Sequence, residues 1–340
     1  MGLAMKTLSI VTPCYNEEAN VCEVYQRVKA VFAQLGRYEY EHIFIDNASR
    51  DNTVAVLKEI ARDDPRVKVI VNARNFGHLR SPMHAMFQAR GDAVVLLFSD
   101  LQDPPELIAD MVAHWEQGIP VAMGIKITSA ENGLMFWLRR RYYRLVNQLA
   151  DLETYENFTG FGLFDRRVIE ILREFRDPYP YFRGMVAEIG LPHVKLPYHQ
   201  KRRARGITKN NFYTLYDLAM LGITNFSKVP LRLLTFAGGV GSFLSILLSA
   251  AYLVYKLLFW NRFSAGLAPL VIGIFFLASV QLLFIGILGE YIGAIHTQVL
   301  RRPLVVERER INFEPLPAGD PKLAHADARA HGVAIGVPQI

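Results

Sequence analysis

The sequence predicts an α/β protein, a mostly parallel, doubly wound sheet followed by a hairpin of two membrane-spanning helices. Apolar strand-like runs alternate with amphipathic helical stretches along the N-terminal part of the chain, the pattern of a parallel sheet with right-handed crossovers. Polar residues gather directly after each of these strands, where an open α/β sheet holds its ligand. Farther on, residues 233–255 and 263–289 carry no charged side chain. Each stretch is long enough to cross a hydrocarbon core of roughly 30 Å as a helix.

Taken in order, residues 7–13 (T-L-S-I-V-T-P) are β-rich and stop at a proline, and Tyr15, Asn16, Glu17 and Glu18 open an amphipathic helix to about residue 35. Residues 42–46 form a second strand ending in D-N-A-S-R-D-N-T, with its helix over 53–62. A third strand, 67–72, leads into A-R-N-F-G-H and a helix through about residue 90. The fourth begins at Val94 in V-V-L-L-F-S-D-L-Q-D-P-P-E; it reads as buried on both faces and breaks at Ser99, Asp100, Asp103 and two prolines. Residues 121–127 are another strand, with Lys126 near its end. Residues 134–152 mix bulky apolar residues with Arg139, Arg140, Arg141 and Arg144, a composition shared by helices on anionic membranes and by ordinary solvated basic faces. N-F-T-G-F-G-L-F-D-R-R at 157–167 reads as a Gly-bent aromatic turn lining a pocket, with Asp165 capping a helix over 167–175.

One polar loop after a strand is ordinary turn chemistry. Four in succession, with Tyr15, Asn16 and Glu17, then Asp46, Ser49 and Asp51, then Arg74 and Asn75, then Asp100 and Asp103, indicate one shared cleft. Glu17 and Asp46 suit hydrogen bonds from a base or ribose. Asp100 and Asp103 are hard oxygen ligands for Mg²⁺ or Mn²⁺ shared with phosphates; equally, Asp100 could cap a turn and Asp103 the helix opened by Pro104 and Pro105. No G-x-G-x-x-G or Walker loop occurs, which argues against a dinucleotide cofactor or a P-loop.

The 340 residues are 51% hydrophobic with a net charge of +6, room for a soluble domain plus an apolar part. Residues 197–211 are the most basic stretch: Arg202, Arg203 and Arg205 could clamp phosphates, Gly206 acting as a hinge, or could hold the domain on anionic headgroups. Nucleic acid is not expected as a partner, because only a short amphipathic helix over 212–226 separates this run from a span. The first residues lack a basic region followed by a long apolar core, so the first domain is expected in the cytoplasm and the hairpin in the inner cell membrane. Lys228, Arg232, Arg301 and Arg302 flank the hairpin against Lys256 and Arg262 in its turn, a mild bias of the same sense. Gly238, Gly239 and Gly241 invite close helix packing and a homo-oligomer. The expected boundaries are 1–205 for the catalytic domain, 206–230 for a juxtamembrane amphipathic segment, 231–300 for two transmembrane helices and 301–340 for a partly disordered tail.

With T-P-C-Y-N-E-E at Thr12, I-D-N-A-S-R-D-N-T at Ile45, A-R-N-F-G-H at Ala73, S-D-L-Q-D-P-P-E at Ser99, R-R-A-R-G-I-T-K at Arg202 and G-E-Y-I-G at Gly289 before R-R-P, the chain resembles the polyprenyl-phosphate glycosyltransferases of glycosyltransferase family 2. That group includes undecaprenyl-phosphate glucosyltransferases and dolichol-phosphate mannose synthases. The resemblance implies a GT-A fold, a nucleotide-sugar donor held through a divalent metal, and inverting transfer to a lipid phosphate at the cytoplasmic face. Carried over by position, Pro13, Tyr15, Glu17 and Asp46 hold the nucleoside, with Asn75, Ser99 and Lys209 as further donor-binding residues. Asp100 is the metal ligand and Asp103 a second ligand or orienting residue. Arg202 with Arg205 take the donor diphosphate or the acceptor phosphate. Two positions depart from the pattern: Phe98 replaces the first Asp of D-x-D, and T-G-F-G-L replaces G-D-F-R-L, so Gly160 and Gly162 stand for an Asp and an Arg. A modified-sugar transferase, a mannose synthase-like enzyme and a catalytically weakened membrane scaffold are the alternatives.

Overall fold

The computed structural model describes residues 5–127, 155, 157–200, 229–259, 267–300 and 302–314. The chain divides into two compact units: Met1–Glu131 with Tyr155–Lys209 and Arg302–Ile340, and Asn132–Thr154 with Asn210–Arg301.

In the first unit, β1 (Thr7–Cys14), α1 (Val21–Leu35), β2 (Glu39–Asp46), α2 (Thr53–Asp63), β3 (Val67–Asn72), α3 (Gly77–Gln88) and β4 (Ala93–Leu96) alternate as the periodicity predicts. A short 3₁₀ turn at Pro105–Leu107 leads into α4 (Ile108–Glu116) and β5 (Val121–Lys126). Then follow β6 (Phe158–Asp165), α5 (Arg166–Glu174), α6 (Phe182–Ile189) and β7 (His193–Tyr198). One sheet runs β7-β5-β6-β4-β1-β2-β3-β8, with β8 (Glu307–Ile311) at its edge. Strands β3, β2, β1 and β4 are mutually parallel. β1 lies between β2 and β4, so the connections reverse direction beside it, and a crevice opens at the strands' carboxyl ends.

Both faces of these strands are covered, which explains their uninterrupted apolar runs: every residue of β2 after Glu39 is buried. On one face α1 lays down Val21, Val24, Tyr25, Val28, Val31 and Phe32, a helical stripe of period near 3.6. It stops at Gly36, whose φ of 58° lets its N–H reach the Phe32 carbonyl at 3.0 Å. Burying each large side chain of this stripe contributes about 1.5–3 kcal/mol.

Within residues 157–167, expected as a turn, Phe158–Asp165 are instead the strand β6, antiparallel to both β4 and β5. Phe158, Phe161 and Phe164 are all fully buried, so no alternation betrays the strand in the sequence. Its glycine at 162 permits close approach: a Cβ there would lie 2.6 Å from the Ala122 carbonyl of β5. The second difference is β8. Its sequence, E-R-E-R-I, has no apolar face to announce it, and the region after 301 reads as tail. It nevertheless pairs antiparallel with β3, and Asn312 behind it donates to the carbonyls of Ala61 and Val67 at 2.6 and 2.8 Å. An edge strand with one solvated side tolerates such charges.

The second unit contains α7 (Val229–Leu258) and α8 (Leu267–Val299), 30 and 33 residues long. Phe276–Val299, with a mean hydropathy of 1.7 and none of it buried, is long and apolar enough to cross a membrane; Leu233–Leu248 is a shorter apolar helix. Among the described residues one helix, rather than the expected two, meets that standard. Glycines at 238, 239 and 241 and Ser242 dilute the apolarity of the first. Phe236 of α7 and Leu282 of α8 are about three-quarters exposed, at 74% and 69%. A Cβ on Gly238 would sit 3.6 Å from the Phe284 ring, whereas Gly239 and Gly241 face open space.

Candidate active site

The four expected loops converge at the carboxyl ends of β1 to β4. Buried Ser99, after β4, donates from Oγ to the Pro13 carbonyl at the end of β1, 3.0 Å away, closing the gap where the sheet order reverses. Asn16 adopts a left-handed conformation, φ 56°. Its N–H donates to Ser49 Oγ at 2.8 Å and its side-chain carbonyl accepts from the Arg50 N–H at 2.8 Å. Glu17 is buried; its N–H donates to Thr53 Oγ1 at 2.9 Å and its carboxylate accepts from Asn20 Nδ2 at 2.5 Å. Tyr15, just before them, is half-buried. The first two loops are thus knitted into one wall.

Asp46, the last residue of β2, is buried and accepts from both the N–H and the hydroxyl of Ser49. Burial pushes its carboxyl up; the Ser49 bonds, the Ala48 N–H and the Arg308 charge work against that. Asn47, which the sequence reading passes over, joins the third loop to the second. It donates to Asn75 Oδ1 and to the Gly77 carbonyl at 3.0 and 3.1 Å, and accepts from Asn72 Nδ2 and the Phe76 N–H at 3.1 and 2.9 Å. Asn75 therefore spends its carbonyl oxygen inside the loop, where the Gly77 N–H also binds it at 2.8 Å. The group it can still offer a ligand is its amide NH₂.

The two carboxylates of the fourth loop part company. Asp100 is half-buried and accepts from the Gln102 N–H at 3.2 Å across Leu101, whose φ is 58°. Asp103 is 3% exposed and accepts from the Tyr198 hydroxyl of β7. It does not cap the helical turn that follows, whose N-cap is Pro104. Burial raises the Asp103 carboxyl to about 6, with the Asp100 charge adding to the shift while the Tyr198 hydroxyl and Lys126 oppose it. Hard oxygens that repel one another suit a divalent cation. Among the described residues no group of three or more His, Cys, Asp or Glu could hold a metal ion. A bound Mg²⁺ or Mn²⁺ at these two residues would have to complete its shell with phosphate oxygens and water.

The departures from the family pattern are neighbours in space. Gly160 has φ 112°, a conformation that strains any side chain, and a Cβ there would contact Leu96, Phe98 and Phe182 at 3.6–3.7 Å. The half-buried Phe98 ring thus lies against the position of the missing Asp. At Gly162 the missing Arg has no room. Asp165 caps α5 by accepting from the Arg167 N–H at 2.9 Å and also accepts from Trp115 Nε1 at 2.6 Å. Arg202, Arg205 and Lys209, with the stretches 134–152 and 212–226, lie outside the described residues. Buried Cys14 has its thiol pushed up by burial and by the charges of Asp46, Glu17 and Asp51, which disfavours the thiolate.

Residues 9–172 match the model of glycosyl transferase family 2. The chain is similar to the glycosyltransferase YkcC of Bacillus subtilis, 34% identical over 90% of this chain and 94% of that protein. It is similar also to the SfII prophage-derived bactoprenol glucosyl transferase of Shigella flexneri, 33% identical over 91% and 99%. Among solved structures, the mannosyltransferase PcManGT of Pyrobaculum calidifontis in complex with GDP-Man and Mn²⁺ is 15% identical, covers 86% of each chain and has a TM-score of 0.44. With a parallel sheet whose carboxyl ends gather these motifs, and with relatives matched along nearly their whole length, this chain is a glycosyltransferase and belongs to glycosyltransferase family 2.

Proposed function

We propose that this enzyme moves one sugar from a nucleotide donor, UDP-linked, to undecaprenyl phosphate or a similar polyprenyl phosphate at the cytoplasmic face of the inner membrane, inverting the anomeric centre. What supports it is that Glu17, Asp46, Asn75, Ser99, Asp100 and Asp103 all stand at or just beyond the carboxyl ends of β1 to β4, in a chain whose relatives include bactoprenol glucosyl transferases. In this assignment Pro13, Tyr15, Glu17 and Asp46 hold the nucleoside, and Asp100 with Asp103 hold Mg²⁺ or Mn²⁺, which when bound neutralises the leaving diphosphate. Arg202, Arg205 and Lys209 bind phosphates. The apolar helices α7 and α8, as a two-span hairpin in the bilayer, keep the catalytic unit near a lipid acceptor.

An acceptor phosphate needs no strong base. Its second pKa lies near 6, so at neutral pH it is largely a dianion and already nucleophilic. What remains is to align it with the anomeric carbon and to stabilise the departing diphosphate. Phe98 and Gly160, standing where the family pattern carries carboxylates, fit that chemistry, because a further carboxylate near the acceptor would repel it.

Membranes carrying the protein are incubated with nucleotide sugars and polyprenyl phosphate, and the lipid product is weighed by mass spectrometry. A hexose added to the lipid phosphate supports the proposal, and the panel identifies the sugar. A nucleotide-binding protein that forms no product would instead be a membrane scaffold. Mn²⁺-dependent nucleotide binding that persists in Asp100→Ala would remove the metal role from that residue.

A further inference from the structure

The strand β8 follows both long helices in the chain, and it returns to the sheet beside the nucleoside end of the crevice. Its register against β3 is regular from Ile311 to Glu309 and then slips: Val71 faces Glu309, but Asn72 faces Glu307. The extra residue is Arg308. In a regular strand Arg308 would point away from the face shared by Glu309, Val71 and Asp46, which are successive cross-strand partners. A bulge re-aims the side chain it carries.

The neighbours of Arg308 are already engaged. Glu307 binds His84 at 2.5 Å and also Arg310; Glu309 pairs with Lys58 at 2.8 Å; Arg310 reaches Gln88 at 2.8 Å. Arg308 itself is exposed, and among the described residues no carboxylate forms an ion pair with it. The strand is tied down by its other side chains while this guanidinium is left over at the bulge. Asp46 lies two strands away in register with its neighbour Glu309, through Val71, and the Arg308 charge acts to lower the buried Asp46 carboxyl.

We propose that Arg308 is a donor-binding residue, presenting its guanidinium to the oxygen atoms of a nucleoside diphosphate seated at Asp46. This assignment rests on the function proposed above. An always-charged, planar set of N–H donors beside a desolvated carboxylate suits a ligand that carries both hydroxyl donors and anionic oxygens, as a nucleotide does. It also makes the segment after the second long helix part of the donor site, so the site is complete only when the chain has returned to the sheet.

The test is calorimetric titration of the full-length protein in detergent with UDP, and separately with GDP, in the presence of Mn²⁺. Arg308→Ala is expected to weaken nucleotide binding at least about ten-fold, the scale of one charge-assisted hydrogen bond, with the thermal midpoint unchanged. Arg308→Lys should recover part of the loss, and Glu309→Gln, on the same strand, should bind as the native protein does. Native affinity in Arg308→Ala overturns the assignment and leaves the proposed function standing. A native protein that binds neither nucleotide overturns both.

Discussion

Asp100 and Asp103 stand in one motif, yet their surroundings set them different tasks. Asp100 is open enough to coordinate, whereas Asp103 is sealed against Tyr198 with its carboxyl raised to about 6. A protonated carboxyl is a poor metal ligand, so Mn²⁺-dependent nucleotide affinity is expected to rise as pH climbs through about 6 and to level off above it. Because the Tyr198 hydroxyl favours the ionised form, Tyr198→Phe should move that rise to higher pH. Titration calorimetry from pH 5 to pH 8 reads both effects, and a flat profile would show that Asp103 does not ionise on binding. A carboxylate restored at position 160 meets a backbone problem first. Gly160→Asp should destabilise the fold by about 1–2 kcal/mol through its left-handed φ alone, read as a lowered denaturation midpoint.

At the scale of elements, α5 and β8 are held by identifiable contacts. Asp165 both caps α5 and binds Trp115, so Asp165→Ala removes a cap and orphans an indole N–H. A cost of about 2–3 kcal/mol is expected, measurable by urea denaturation, with Asp165→Asn keeping most of the cap. In β8, burial by itself would raise the Glu307 carboxyl, but hydrogen bonds from Arg310 and His84 outweigh it and hold it at about 2. A carboxylate depressed in the folded state stabilises fully above its unfolded pKa, near 4.3, and loses that contribution as pH falls toward about 2. The protection of the β8 amides against hydrogen exchange, relative to the intrinsic rate at each pH, should therefore fall between pH 4 and pH 2 in the native chain. In Glu307→Gln that protection should already be reduced at neutral pH and change less on acidification.

Over the whole molecule, β8 hides the outer edge of β3, a short, buried apolar strand. Removing residues 302–340 would expose that edge and take Arg308 with it. Such a truncation should lower the thermal midpoint of the first unit and promote association through β3, checked by calorimetry and size-exclusion chromatography. Its charged sequence protects β8 from pairing outward in turn.

The mostly parallel sheet, its first four strands and the polar loops at their ends were legible from the chain alone, because period-2 and period-3.6 patterns and turn residues are local signals; the order of those strands in the sheet was not. Glu17, Asp46, Asn75, Ser99, Asp100 and Asp103 were nameable for the same reason. The capping role of Asp165 was equally plain, since a cap is decided within a few residues. Tertiary contacts alone made β6 a strand, since full burial on both faces erases alternation and its glycines answer to neighbours distant in sequence. They alone recruited E-R-E-R-I to the sheet, Tyr198 to Asp103 and Asn47 to the third loop. Each of those choices depends on pairing between segments far apart in the chain, and no window of local sequence contains both partners.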